Sequence, residues 1–148
     1  MAVVVLAAAV VLAIIANVIV FLIVTGPLGE PMLMCNCDLE PPTLESMSVV
    51  DPILFSTIFG IGAVVVYSIV SYFSARPLRV FALMALVVLL ASLMLPMRMP
   101  SPPVESSAKL ALVSMHVVGY LVILGTLWFG HRRGWLTSQK GRSDSTRP

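Results

Sequence analysis

Hydrophobic positions in this chain do not alternate with polar ones. They run together in four uninterrupted blocks, Ala2–Thr25, Pro52–Phe73, Val80–Leu95 and Leu110–Phe129. Each block is close to the roughly 20 residues an α-helix needs to cross about 30 Å of hydrocarbon. None contains Asp, Glu, Lys or Arg, as expected where a mid-bilayer charge costs at least about 2.5–3.5 kcal/mol. The pattern predicts an all-α integral membrane four-helix bundle of up-down topology. Its helices span about 2–25, 52–73, 80–95 and 110–129, in one transmembrane domain over residues 1–133.

Within the blocks, small residues recur at helical spacing. Ala9, Ala13 and Ala16 mark one face of the first helix, and Ser56, Gly60 and Ala63 one face of the second. Such faces let backbones approach where lipid removes the hydrophobic drive for helix association. Asn17, the one strongly polar residue of the first helix, is expected to face a neighbouring helix. Gly26-Pro27 ends that helix, because Gly suits the C′ position and Pro cannot continue it. Asp51-Pro52 reads as an N-cap followed by the first helical position. Ser74–Arg79 is a tight turn, so the second and third helices form an antiparallel hairpin. The third helix ends at Pro96. The tail, residues 134–148, is polar and expected to be disordered and cytoplasmic.

Charge sets the orientation. Hydrophobic residues make up 59% of the chain and charged ones 11%, against roughly 45–50% and 25% in soluble domains. The first gap carries five acidic residues (Glu30, Asp38, Glu40, Glu45, Asp51) and no basic one. Seven of the nine Lys and Arg residues fall in the second gap and the tail. Basic residues collect on the cytoplasmic side of short loops. Both termini are therefore expected in the cytoplasm of a multi-pass cell-membrane protein, with the first and third gaps outside. Tyr72, Phe73, Trp128 and Phe129 then form an aromatic belt at the inner interface. No basic segment precedes the first block and no small-residue cleavage site stands out after it, so that block is read as a retained helix, not a signal peptide.

A family likeness is carried by Ser48-Val49-Val50 before the second helix and Arg79-Val80 at the start of the third. Val87-Val88-Leu89-Leu90-Ala91-Ser92-Leu93 ending at Pro96, and Leu110–Val118 with its Met115-His116 pair, extend it. From about Ser48 to Phe129 the chain resembles domain-of-unknown-function family 6069, small four-helix bacterial membrane proteins. The resemblance implies a four-helix membrane fold and no known activity. The acidic first gap with Cys35-Asn36-Cys37 departs from that pattern.

Two groups of residues are candidates for chemistry. His116 lies inside the fourth block, some 10 Å from its outer end at about 1.5 Å per residue, and an intramembrane ionisable group is a functional-site hypothesis by default. Ser92 stands at a depth suited to bond it. The structural alternative is a neutral imidazole bonded to Ser92, Ser114 or a carbonyl. The second group is sulfur: Met32, Met34, Cys35 and Cys37 of the first gap with Met94, Met97 and Met99 at the outer end of the third helix, all on the outer side. Met34, Cys35, Cys37, Met97 and Met99 are the candidate ligands. Thiolate and thioether ligands select Cu(I). Against a metal site stand the ordinary use of Met as an apolar filler, the weak specificity of Cys-x-Cys, and acidic neighbours that raise thiol pKa values. Arg132, Arg133, Lys140, Arg142 and Arg147 read either as an anionic-lipid contact or as the orientation signal alone.

No phosphate-cradling glycine loop, nucleophile elbow or intramembrane carboxylate pair occurs, so no enzymatic activity and no cofactor is expected. Nucleic-acid binding has no support. The expected function is a non-enzymatic structural or accessory protein that binds lipid, a second copy of itself or another membrane protein. The alternatives are a small transporter or channel-like protein using His116, and an extracytoplasmic Cu(I) or redox sensor using Cys35, Cys37 and nearby Met.

Overall fold

The computed structural model describes residues 1–36, 43–98 and 106–136. Four helices account for most of them: α1 (Ala2–Thr25), α2 (Val50–Phe73), α3 (Pro77–Arg98) and α4 (Ser106–Arg132). All four are long and apolar enough to cross a membrane. A short antiparallel pair, β1 (Leu33–Asn36) and β2 (Thr43–Ser46), lies between α1 and α2.

α1 packs most closely against α4, then against α2, and α3 closes the ring against α4 and α2. One cluster joins Phe21 and Val24, late in α1, to Ala111 and Met115, early in α4. A second joins Leu6, Tyr67, Phe81, Leu127 and Leu136, from the start of α1, the end of α2, the start of α3 and the end of α4. Both described termini therefore share one end of the bundle, and the β-hairpin caps the other.

The small faces are where helices touch. Ala9 and Ala13 are buried, and Gly60 lies so near Val10 that a Cβ there would sit 3.0 Å from Val10 Cγ1. Gly130 is tighter still: a Cβ would come within 2.6 Å of Val5 Cγ1. Elsewhere the helices are apolar all round, and only 6% of the apolar stretch of α3 and 22% of that of α2 is buried. Phe59, Leu83, Val87, Val88 and Leu121 are among the large side chains left exposed. A soluble monomer rarely shows contiguous apolar patches beyond a few hundred Å². Lipid is the solvent that suits this surface, and the chain is a multi-pass membrane protein.

Helix ends differ from the sequence expectation in instructive ways. The third helix, expected to end at Pro96, runs on to Arg98, with Pro96 removing only its own N–H from the last turns. α2 begins at Val50, two residues before the expected start. Ser48 begins the turn: its backbone N–H and Oγ–H donate to Asp51 Oδ2 at 2.6 and 3.1 Å, and the Val50 N–H donates to Ser48 Oγ at 3.3 Å. This is a capping-box arrangement in which Asp51 sits inside the first turn. Pro52 has no N–H to give the Ser48 carbonyl, and the Asp51 N–H serves it instead at 3.2 Å. At the end of α1, Gly26 takes φ −90°, and the left-handed residue is Gly29, φ 64°.

α4 ends in a Schellman closure. Gly134 is left-handed at φ 72°; its N–H donates to the His131 carbonyl at 3.1 Å, and the Trp135 N–H donates to the Gly130 carbonyl at 3.0 Å. Leu136 then packs onto the second cluster. The tail expected to be disordered thus starts with three positioned residues, and 137–148 lie outside the described residues. The hairpin was not expected at all. Its register pairs Leu33 with Ser46, Met34 with Glu45, Cys35 with Leu44 and Asn36 with Thr43. Two isolated strands are marginal in water; here Met32, 1% exposed, plugs the gap between Phe21, Val24, Ala111 and Met115, with Met47 packed beside it. The Met47 N–H donates to the Met32 carbonyl at 2.8 Å, which extends the ladder to the plug.

Candidate functional site

Asn17 meets its expectation of facing a neighbour. Its Nδ2 donates to Ser56 Oγ of α2 at 2.9 Å, and its amide lies against Gly119 of α4, where a Cβ would be 3.4 Å away. Three helices therefore converge on one amide. Ser56 is buried, on the small face of α2. Asn17 Oδ1 is buried and, among the described residues, has no hydrogen-bond partner. The hydroxyls of Tyr67 and Ser71, one turn apart on α2, are buried too and, among the described residues, have no hydrogen-bond partner.

His116 and Ser92 do not meet through a described hydrogen bond. His116 Nδ1 lies 2.7 Å from the Leu112 carbonyl one turn back on its own helix. A carbonyl only accepts, so Nδ1 is the donor in this contact. Ser92 Oγ donates to the Leu89 carbonyl at 2.8 Å, and Ser114 Oγ to the Leu110 carbonyl at 2.8 Å. Thr57, Ser68 and Thr126 bond back to their own helices in the same way. Of the three partners expected for His116 (Ser92, Ser114 or a carbonyl), the structure has the carbonyl. A side chain that satisfies itself on its own backbone specifies no interhelical partner, and depth along the chain does not register this.

Of the sulfur candidates, Cys37 and Met99 lie outside the described residues. Met34 and Cys35 sit side by side on β1, with only their backbone described, and Met97 is 71% exposed near the end of α3. Among the described residues no cluster of three or more His, Cys, Asp or Glu is placed to hold a metal. The methionines the hairpin does bring together are Met32, Met47 and Met115, packed with aliphatic and aromatic carbon.

At the end that holds the termini, arginines lie on rings. Arg132 covers Trp128 at 4.2 Å from the ring centroid, and Arg133 covers Phe129 at 5.2 Å. Tyr72 and Phe73 are about four-fifths exposed and meet edge-to-face at 4.9 Å. The four belt residues expected from sequence thus gather at one end. Beside them a furrow runs between α3 and α4, lined by apolar side chains and by Arg79. Sequence reading missed it, because it names Arg79 and Trp128 as separate boundary residues and cannot see that the tight turn at Ser74–Arg76 sets α3 beside the last turns of α4.

No curated protein and no solved structure matches this chain. A family model does, over residues 2–133. That match exceeds the stretch from Ser48 to Phe129 on which the likeness is legible by eye, and it takes in α1 and the acidic hairpin segment. The chain belongs to the family of unknown function DUF6069.

Proposed function

We propose that this protein is a non-enzymatic structural or accessory component of the cell membrane, a four-helix bundle that binds lipid or a membrane partner. Its helices pass up and down through the bilayer, with both termini in the cytoplasm and the hairpin outside. The observation that carries the reading is how polar groups in the spans are used. Asn17 and Ser56 tie two helices together, while His116, Ser92, Ser114 and Thr126 bond their own backbones. These bonds secure helix structure and packing. The outward surface offers apolar side chains along every helix, and the arginine–aromatic end suits the anionic cytoplasmic leaflet.

Affinity purification of the full chain in mild non-ionic detergent, followed by mass determination, tests this. A stoichiometric complex with another membrane protein, a defined homo-oligomer or tightly retained lipid is expected. A lipid-free monomer in every detergent would count against it.

A further inference from the structure

We propose that the furrow between α3 and α4 is a binding site for one anionic phospholipid, with the phosphate at Arg79 and an acyl chain laid along Gly125. The proposal deepens the accessory-protein reading and rests on it for the membrane. The furrow encloses about 410 Å³ between Leu78, Arg79 and Ala82 of α3 and Leu124, Gly125 and Trp128 of α4. Its walls are carbon except at the end where Arg79 enters. Gly125 has open space above it: a Cβ there would meet nothing within 4 Å, so this glycine leaves a notch where Gly60 and Gly130 serve close helix contact. Trp128, part of the lining, holds Arg132 over its ring at 4.2 Å. One cation, Arg79, thus lines the apolar slot, and a second, Arg132, stacks on one of its lining side chains.

Among the described residues no acidic side chain stands near that mouth. Those present, Glu30, Glu45 and Asp51, are all at the hairpin end. A phosphate diester supplies negative charge there, and guanidinium groups match its geometry. Basic pockets between transmembrane helices on the cytoplasmic side take anionic lipid headgroups for this reason. The acyl chain fits the slot and holds the headgroup against Arg79, so a headgroup without a chain is not retained. A second furrow, between α1 and α4, adjoins the first across Leu121 and Gly125, which line both; its α1 wall is Leu12, Ile15, Ala16 and Ile19, and it has no basic residue in its lining. It provides an internal comparison: an apolar slot without a headgroup anchor.

The test uses the full chain in non-ionic detergent, titrated with phosphatidylglycerol or phosphatidylcholine of identical acyl chains and read as bound lipid by native mass spectrometry. Phosphatidylglycerol is expected to be retained at least about fivefold over phosphatidylcholine, the factor one arginine supplies near a charged surface. Arg79→Gln should lose about that factor. Gly125→Leu, which fills the notch and leaves Arg79 in place, should also lower phosphatidylglycerol retention, and glycerol phosphate should fail to compete. Equal retention of the two lipids, or selectivity unchanged in both variants, would overturn the site. Full displacement by glycerol phosphate would also overturn it, in favour of a soluble phosphate ester. Absence of selectivity in the unsubstituted chain, alongside an intact stoichiometric assembly, would refute this site and leave the accessory function standing.

Discussion

Asn17 shows what a single polar side chain does where water is absent. In hydrocarbon the amide has no solvent to return to, so its bond to Ser56 orients α1 against α2. Interhelical bonds of this kind are worth about 0.6 kcal/mol on average and up to about 1.7 kcal/mol, less than intuition suggests, because the separated helices also find partners. Asn17→Ala is expected to lower stability by an amount in that range, measured by denaturant-induced unfolding in detergent. The double variant with Ser56→Ala should cost little more than the first change alone, and additive losses would show the two groups act independently. That Asn17 faces a neighbour was legible from sequence, since one amide in a run of Ala, Val and Ile has few other places to go. Its partner was not, because Ser56 reads equally well as one more small residue.

At the scale of the element, two glycines on different helices separate close packing from mere tolerance. Gly130 abuts Val5, whereas Gly62 of α2 has nothing within 4 Å of where a Cβ would stand. Gly130→Ala must displace Val5 or the backbone, and overpacking of this kind costs about 1–3 kcal/mol. Gly62→Ala is expected to stabilise by up to about 1 kcal/mol through helix propensity. Thermal unfolding of the pair should move in opposite directions; parallel shifts would mean the α1–α4 contact is looser than described. The hairpin supplies the second prediction. Met32→Ala removes its plug, a loss of about 2–5 kcal/mol for a fully packed side chain, and most of it should fall on β1 and β2. Hydrogen exchange should show the amides of Leu33–Asn36 and Thr43–Ser46 losing protection while α1 and α4 keep theirs. Equal loss throughout would make the plug part of the bundle core instead.

Those same elements mark where sequence reading stops. Helices announce themselves because lipid forbids charge along the whole of a 20-residue run, and the first block matches α1 at both ends. A four-residue strand has no such constraint. β1 and β2 are held by Met32, which in sequence looks like one sulfur among several in a proline-rich gap. The end of α4 was hidden differently: His131-Arg132-Arg133-Gly134-Trp135-Leu136 draws attention to its charge, while the glycine followed by two apolar residues is the signal of a Schellman closure. Helix starts shift by two to four residues because capping by Ser48, and extension through Pro77 and Ser106, depend on local bonds that hydropathy does not register.

For the whole molecule the central claim is a lipid-embedded bundle whose two ends differ in kind. One end carries Arg76, Arg79, Arg132 and Arg133 with Tyr72, Phe73, Trp128 and Phe129, and the other Glu45 of the hairpin and Asp51 of α2 together with Arg98 and Lys109. Sorting of this sort orients a chain during insertion, and it also defines where anionic lipid can collect. A membrane-impermeant maleimide applied to intact cells under reducing conditions tests the arrangement most directly. The native Cys35 and Cys37 should react from outside, while a single cysteine placed by Ser74→Cys in a chain lacking both should react only after lysis. The reverse pattern, with the hairpin cysteines shielded until lysis and position 74 labelled in intact cells, would contradict the account.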